Sequence, residues 1–260
     1  MKEMETNKKL ILVTNDDSIY AKGIASLVEV AKQFGEVVVV APDKPQSGMG
    51  HAITINHPLR LQEQNIFEGI KSFSCTGTPV DCVKLGIIEV LHRRPDLILS
   101  GINHGSNAAT NVLYSGTMSA AVEGAMEGIP SIGFSFCDYE ADADFTDAKS
   151  VAEKLIPQVL ENGLPDNVCL NVNIPKVDQL KGIKVCSQAK AFWEDRFDKR
   201  QDQFGRDYFW LTGNFKEHVY SKESDLHFLE EGYATVVPTQ FDLTAKHTLD
   251  LLKKIVENEN

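Results

Sequence analysis

"LILVTNDDSIYAKGI", residues 10–24, is the stretch on which the fold turns. Residues 10–14 are apolar or β-branched without alternation, as in a strand covered on both faces. Asn15-Asp16-Asp17 follows at once, and a helical pattern starts near residue 22. Strand, polar turn and helix together make the first half of a βαβ unit. The alternation continues with strands at "EVVVVAP" (36–42), "DLILSGI" (96–102), "SIGFSF" (131–136) and "VCLNVNI" (168–174). Helical patterns fall near 22–34, 79–92, 116–128 and 147–162. Continuous apolar strands separated by helices predict an α/β sandwich with a parallel sheet, Rossmann-like in its first half.

Beyond residue 176 the pattern changes. A short strand, "GIKVCS", precedes "AFWEDRFDKRQDQFGRDYFW" (191–210), an excursion dense in charge and aromatic rings. Strands are expected at 207–213 and 233–243, and a closing amphipathic helix at 245–257. The aromatic stretch suits an oligomerisation arm or a substrate-side flap better than base stacking, because its charges are mixed.

Bulk properties narrow the functional classes. The chain has 260 residues and 42% apolar content, enough for a substantial core. It carries 37 acidic against 26 basic residues, a net charge of −11, which disfavours long nucleic acids and anionic membranes. An anionic substrate would need a metal ion or oriented backbone dipoles. The five cysteines include no C-x-x-C pair and sit mostly in apolar runs, which points to reduced core thiols and a cytoplasmic protein. Residues 1–9 are polar, and no targeting or membrane-spanning segment is expected.

In an open parallel sheet, ligands bind beyond the carboxyl ends of the strands. There stand Asn15-Asp16-Asp17, then "APDKPQSGMGHAIT" (41–54) with Ser47, then "NHGSN" (103–107) with Asn103 and Asn107. Adjacent carboxylates repel unless a cation lies between them, and carboxylate, hydroxyl and amide oxygens suit Mg²⁺ or Mn²⁺. The alternative is that one Asp caps the following helix and the other is solvated. In "YSGTMSAAVEGAMEGI" (114–129), Ser115, Gly116 and Thr117 open a helix whose free N–H groups favour phosphate. An ordinary Ser N-cap with small residues for tight packing explains it equally well. His51, His57 and His104 lack zinc spacing, and "CTGTPVDCVKLGI" (75–87) reads as a helix start with Pro79 at its first position. Walker A, nucleophile-elbow and dinucleotide fingerprints do not occur.

These stretches together resemble the SurE family of metal-dependent 5′/3′-nucleotidases. The resemblance rests on "ILVTNDD", "VVVVAPDKPQSGMGHAIT", "CTGTPVDCVKLGI", "RPDLILSGINHGSN", "YSGTMSAAVEGAMEGIPSI", "LNVNIP" and "EGYATVVPTQFDLT", in that order along nearly the whole chain. It implies a three-layer α/β/α sandwich in a single domain spanning 1–260, with a core of 1–176 carrying the site and a C-terminal oligomerisation region, 177–260. That region would exchange elements between protomers in a homodimer or homotetramer. The resemblance places one divalent cation, Mg²⁺ or Mn²⁺, on Asp16, Asp17, Ser47 and Asn103, and phosphate binding on Asn107, Ser115, Gly116 and Thr117. Two positions depart from the family: Ser18 stands where Gly is usual, and Lys22 where Pro commonly precedes Gly23.

The expected reaction is hydrolysis of nucleoside monophosphates to nucleoside and phosphate, with Asp16 or Asp17 nearest the attacking water. One rival makes an Asp the nucleophile through an aspartyl-phosphate. The other is a nucleotide- or phosphate-binding regulator without turnover.

Overall fold

In the computed structural model, which describes residues 8–257, the opening stretch forms β1 (Leu10–Thr14), every residue of it buried. The polar residues 1–7, where no targeting segment is expected, lie outside the described part. Helix α1 (Lys22–Ala31) follows, then β2 (Glu36–Pro42), paired in parallel with β1. α1 ends at Ala31 rather than residue 34, and Lys32 caps it with its N–H on the Val28 carbonyl.

Two short strands, β3 (Leu61–Gln64) and β4 (Lys71–Cys75), lie at one edge of the sheet. Sequence patterning passes over both: β3 is the edge strand and is polar and partly exposed, while β4, paired on both sides, buries Ser72 and Ser74, so neither shows a continuous apolar run or a clean alternation. α2 (Pro79–Leu85) continues as a π-helical turn, Gly86–Leu91, where one regular helix was expected. β5 runs Leu97–His104 and ends two residues beyond its apolar pattern, since Asn103 and His104 still pair with Ser135 and Phe136 of β6 (Ser131–Phe136). α3 (Gly116–Met126), α4 (Thr146–Asn162) and β7 (Val168–Ile174) complete the predicted series.

Beyond residue 176, β8 (Ile183–Val185) and β11 (Ala234–Gln240) join the main sheet. The excursion is a long antiparallel hairpin of β9 (Lys190–Gln201) and β10 (Asp207–Val219), and a helix that patterning missed, α5 (Asp225–Glu230), precedes β11. The closing helix is α6 (Leu249–Val256), entered through one 3₁₀ turn.

The nine-stranded sheet has the order β3-β4-β2-β1-β5-β6-β7-β11-β8. Only the β3–β4 and β7–β11 pairs are antiparallel. Successive side chains of a strand point to opposite faces, and the core divides accordingly. Ile11, Val13, Val37, Val39, Leu97 and Leu99 pack with residues of α1 and α4. Leu10, Leu12, Val38, Val40 and Ile98 pack with Cys82 and Val83 of α2 and Ala120 of α3. Helices therefore cover both faces, as the α/β/α expectation requires.

Gly23 shows how tightly these layers meet. A Cβ there would strike the Ile102 carbonyl oxygen, so α1 rests its first turn directly on β5. Lys22, the residue in place of proline, donates from Nζ to the carbonyls of Asp142 and Ala143 at 3.1 and 2.8 Å and ties that turn to the segment before α4.

Candidate active site

The turn after β1 is built by hydrogen bonds to backbone carbonyls. Asn15 Nδ2 donates to the Ser18 carbonyl at 2.8 Å, the Ala21 N–H donates to the same oxygen at 3.1 Å, and the Ile19 N–H reaches Pro42 at the end of β2. Ser18 sits at φ 91°, the left-handed side that glycine adopts without steric penalty. Ser18→Gly should therefore raise stability by about 0.5–1 kcal/mol, the strain relieved exceeding the added chain entropy. A thermal melt showing a lower Tm for the variant would refute this.

The helix-cap alternative for the acidic pair does not hold: Ala21 is the N-cap of α1, and no side chain caps it. Asp16 is buried and Asp17 half-buried. Asp16 Oδ1 accepts the Thr117 hydroxyl at 2.5 Å, and Asp17 Oδ2 accepts the His104 N–H at 3.1 Å. Burial pushes the Asp16 carboxyl up to about 6, and the Asp17 charge adds to the rise against hydrogen bonds from Thr117. Burial also raises Asp17, opposed by the His104 N–H. Among the described residues neither carboxylate forms an ion pair with a cationic side chain.

Asn103 lies at the end of β5. Its Nδ2 donates to the carbonyls of His104 and Gly105 at 3.1 and 2.9 Å, which leaves the amide oxygen as its free end. Ser47 is exposed in the loop after β2, and that loop is fixed on both sides. The Gln46 N–H donates to the Asp16 carbonyl at 2.8 Å, and the Gly50 N–H donates to Tyr114 at 3.1 Å, just before α3. Carboxylates without a cationic partner among the described residues, a free amide oxygen and an exposed hydroxyl are hard oxygen donors, the chemistry that suits a small divalent cation. Among the described residues no three His, Cys, Asp or Glu side chains cluster, so the neutral oxygens would have to complete any such coordination.

Of the second predicted group, Gly116 and Thr117 lie against Asp16, whereas Asn107 bonds to other residues. Ser115 is the N-cap of α3, its Oγ accepting the Met118 N–H at 3.0 Å, so the ordinary capping reading describes its hydroxyl. Thr117 serves Asp16, as above. Gly116 is needed for proximity, since a Cβ there would lie 2.7 Å from Asp16 Cβ and 3.0 Å from its Oδ2. Asn107 is buried, its N–H on Asn173 Oδ1 and its Nδ2 on Ser135 Oγ, both at 2.8 Å. A phosphate oxygen would have to replace or share that second bond.

Sequence reading missed the residues that hold these loops. Asn171 Nδ2 donates to the Asn107 carbonyl at 2.9 Å, and Asn173 Nδ2 to Asn171 Oδ1 at 2.9 Å. Their i, i+2 spacing within a buried strand was a usable signal, since it puts both amides on one face. Asp225 accepts the N–H groups of Ala109 and Ala189 at 2.8 and 2.9 Å, joining the turn before α3 to the C-terminal region. Glu123 on α3, with 2% side-chain exposure, accepts His51 Nε2 at 3.0 Å and the Lys84 ammonium, tethering the Ser47 loop to α2 and α3. An acidic residue in a small-residue helix gave no sign of such partners.

Residues 11–195 match the family described as survival protein SurE. The chain is 58% identical over 248 residues to a 5′-nucleotidase SurE of Christiangramia forsetii, covering 94% of this chain and 95% of that protein. A 5′-nucleotidase SurE of Flavobacterium psychrophilum is 56% identical, with 95% and 97% covered. The crystal structure of the SurE protein from Aquifex aeolicus superposes with a TM-score of 0.81 at 37% identity, covering 95% of this chain and 99% of that one. With the motifs, the sheet order and these likenesses in agreement, the chain belongs to the SurE family.

Proposed function

We propose that this protein hydrolyses nucleoside monophosphates to nucleoside and phosphate with a divalent cation, Mg²⁺ or Mn²⁺, held by Asp16, Asp17, Ser47 and Asn103. The observation that carries the reading is the adjacent acidic pair, which caps no helix and has no cationic partner among the described residues, beside the α3 helix start. When bound, the cation supplies Lewis-acid stabilisation of the charge on the phosphoryl group. Asp17, the more open carboxylate, orients the attacking water, while Thr117 and burial hold Asp16 in place. Backbone N–H groups at Ser115–Thr117 and the positive end of the α3 dipole cradle the phosphate, which the Asn107 amide borders. The names of the close relatives support the substrate class.

Phosphate release from a panel of 5′- and 3′-mononucleotides, with Mg²⁺, with Mn²⁺ and in chelator, tests the reading. Turnover should require the cation. Undiminished turnover in chelator would sink the cation role, and nucleotide binding without release would favour a regulator.

The same reading assigns residues 177–260 to assembly as a homodimer or homotetramer. The hairpin exposes Phe197, Phe209 and Trp210, and α6 has no buried residue in the single chain. Exposed aromatic and aliphatic side chains of this kind are what a subunit interface would cover. Sedimentation showing only monomer at micromolar concentration would overturn this assignment. Among the described residues no helix is long and apolar enough to cross a membrane.

A further inference from the structure

The loop after β2 borders a cavity of about 420 Å³ whose walls the reaction as described does not use. It is lined by Lys44, Gln46, Met49, His57, Leu59 and Arg60, among others. Its volume falls within the roughly 300–1,000 Å³ of small-molecule sites. Gln46 links it to the site: its N–H holds the Asp16 carbonyl, and the next residue is Ser47.

The charge of the lining is the reverse of the chain's. In a protein of net charge −11, two permanent cations and a histidine surround one space, and among the described residues none of the three pairs with a carboxylate. The acid beneath the cavity, Asp81, is spent locally. It accepts the Thr54 N–H, the Thr54 hydroxyl and the Thr78 N–H at 3.1, 2.6 and 2.9 Å. Met49 and Leu59 add apolar surface to the same lining. A lining that combines apolar surface with unpaired cations suits a ligand with a ring or sugar body and an anionic end.

We propose that this cavity receives the part of the substrate beyond the scissile phosphate and selects nucleotides that bear a second phosphate on the ribose, such as nucleoside 3′,5′-bisphosphates. Lys44 and Arg60 hold that second phosphate, and Met49 and Leu59 flank the nucleoside. The inference rests on reading the neighbouring site as a phosphomonoesterase.

The test compares AMP with adenosine 3′,5′-bisphosphate, by kcat/KM for phosphate release and by equilibrium dialysis, in wild type and in Lys44→Gln/Arg60→Gln. Wild type should favour the bisphosphate by about tenfold, as expected for one or two charge-assisted hydrogen bonds, mainly through KM. In the double variant the ratio should fall toward one. A wild type without preference, or a preference that the variant keeps, overturns the inference. Should the variant fold poorly, added salt decides in wild type alone: the preference must shrink with ionic strength, and a salt-insensitive ratio refutes it. Dialysis separates the two readings. Bisphosphate binding that depends on Lys44 and Arg60 without any phosphate release would defeat the hydrolase, whereas AMP hydrolysis without preference would defeat only the cavity's role.

Discussion

Asp17→Asn should lower phosphate release from mononucleotides by at least roughly 10²-fold, the scale on which single preorganised electrostatic groups act. Asn keeps the shape and still accepts the His104 N–H, so the loss isolates charge. Asp16→Asn should be as damaging, since its carboxylate takes the Thr117 hydroxyl and packs against Gly116. The two variants should also melt higher than wild type in chelator. Burial disfavours both charges and the pair repels itself, so removing one relieves a cost that the fold carries for function. Activity assays with melts in chelator check both parts. Near-wild-type rates in either variant would defeat the assignment, and a lower Tm would show the pair to be structural.

His51→Ala with Lys84→Met should destabilise the protein by roughly 2–3 kcal/mol, about 5–10 °C in Tm for a chain of this size. The two changes leave Glu123 buried without a cation. The figure sits below the range for fully enclosed pairs because Lys84 and His51 are themselves 41% and 36% exposed and partly screened by water. The pH dependence has a definite sign. Burial alone would raise the Glu123 carboxyl, but hydrogen bonds from His51 and Lys84, with the charges of both, outweigh it and hold the group below its ordinary 4.5. A carboxyl depressed in the folded state stabilises above its unfolded value and loses that contribution as pH falls through the folded one. The gap between wild type and variant should thus be full near neutrality and close below pH 4.5. A gap that stays constant into acid would show that the cost comes from lost packing.

The fold was legible where burial was two-sided. β1, β2, β5, β6 and β7 announce themselves as continuous apolar runs, and their helices by period. β3 did not, because an edge strand answers to one neighbour and to solvent, and β4 did not, because its "KSFSC" carries serines at buried positions where apolar residues would mark a strand. The π-helical turn after α2 was equally hidden: Gly86 sits where a Cβ would crowd Leu12, a contact made by a strand about seventy residues earlier. The C-terminal hairpin was visible only as a break in pattern, since its aromatic side chains are exposed in the single chain.

What the sequence determined by itself is the scaffold and the address of the candidate site. Strand–helix alternation dictates a parallel sheet, and a parallel sheet gathers its βα turns at one edge, so Asp16, Ser47, Asn103 and Ser115 share a neighbourhood before any coordinate is known. Only the tertiary structure decided what each of those side chains touches. "NDD" read alone fitted a helix cap, yet Ala21 caps α1; Ser115 read as cap or phosphate ligand, and its hydroxyl caps. Thr117 meets Asp16 across 101 residues of chain, and His51 meets Glu123 across 72. Such pairings depend on sub-ångström register between layers, which hydrophobic periodicity does not encode. Periodicity places an element on a face, and only packing sets which polar atoms then meet there.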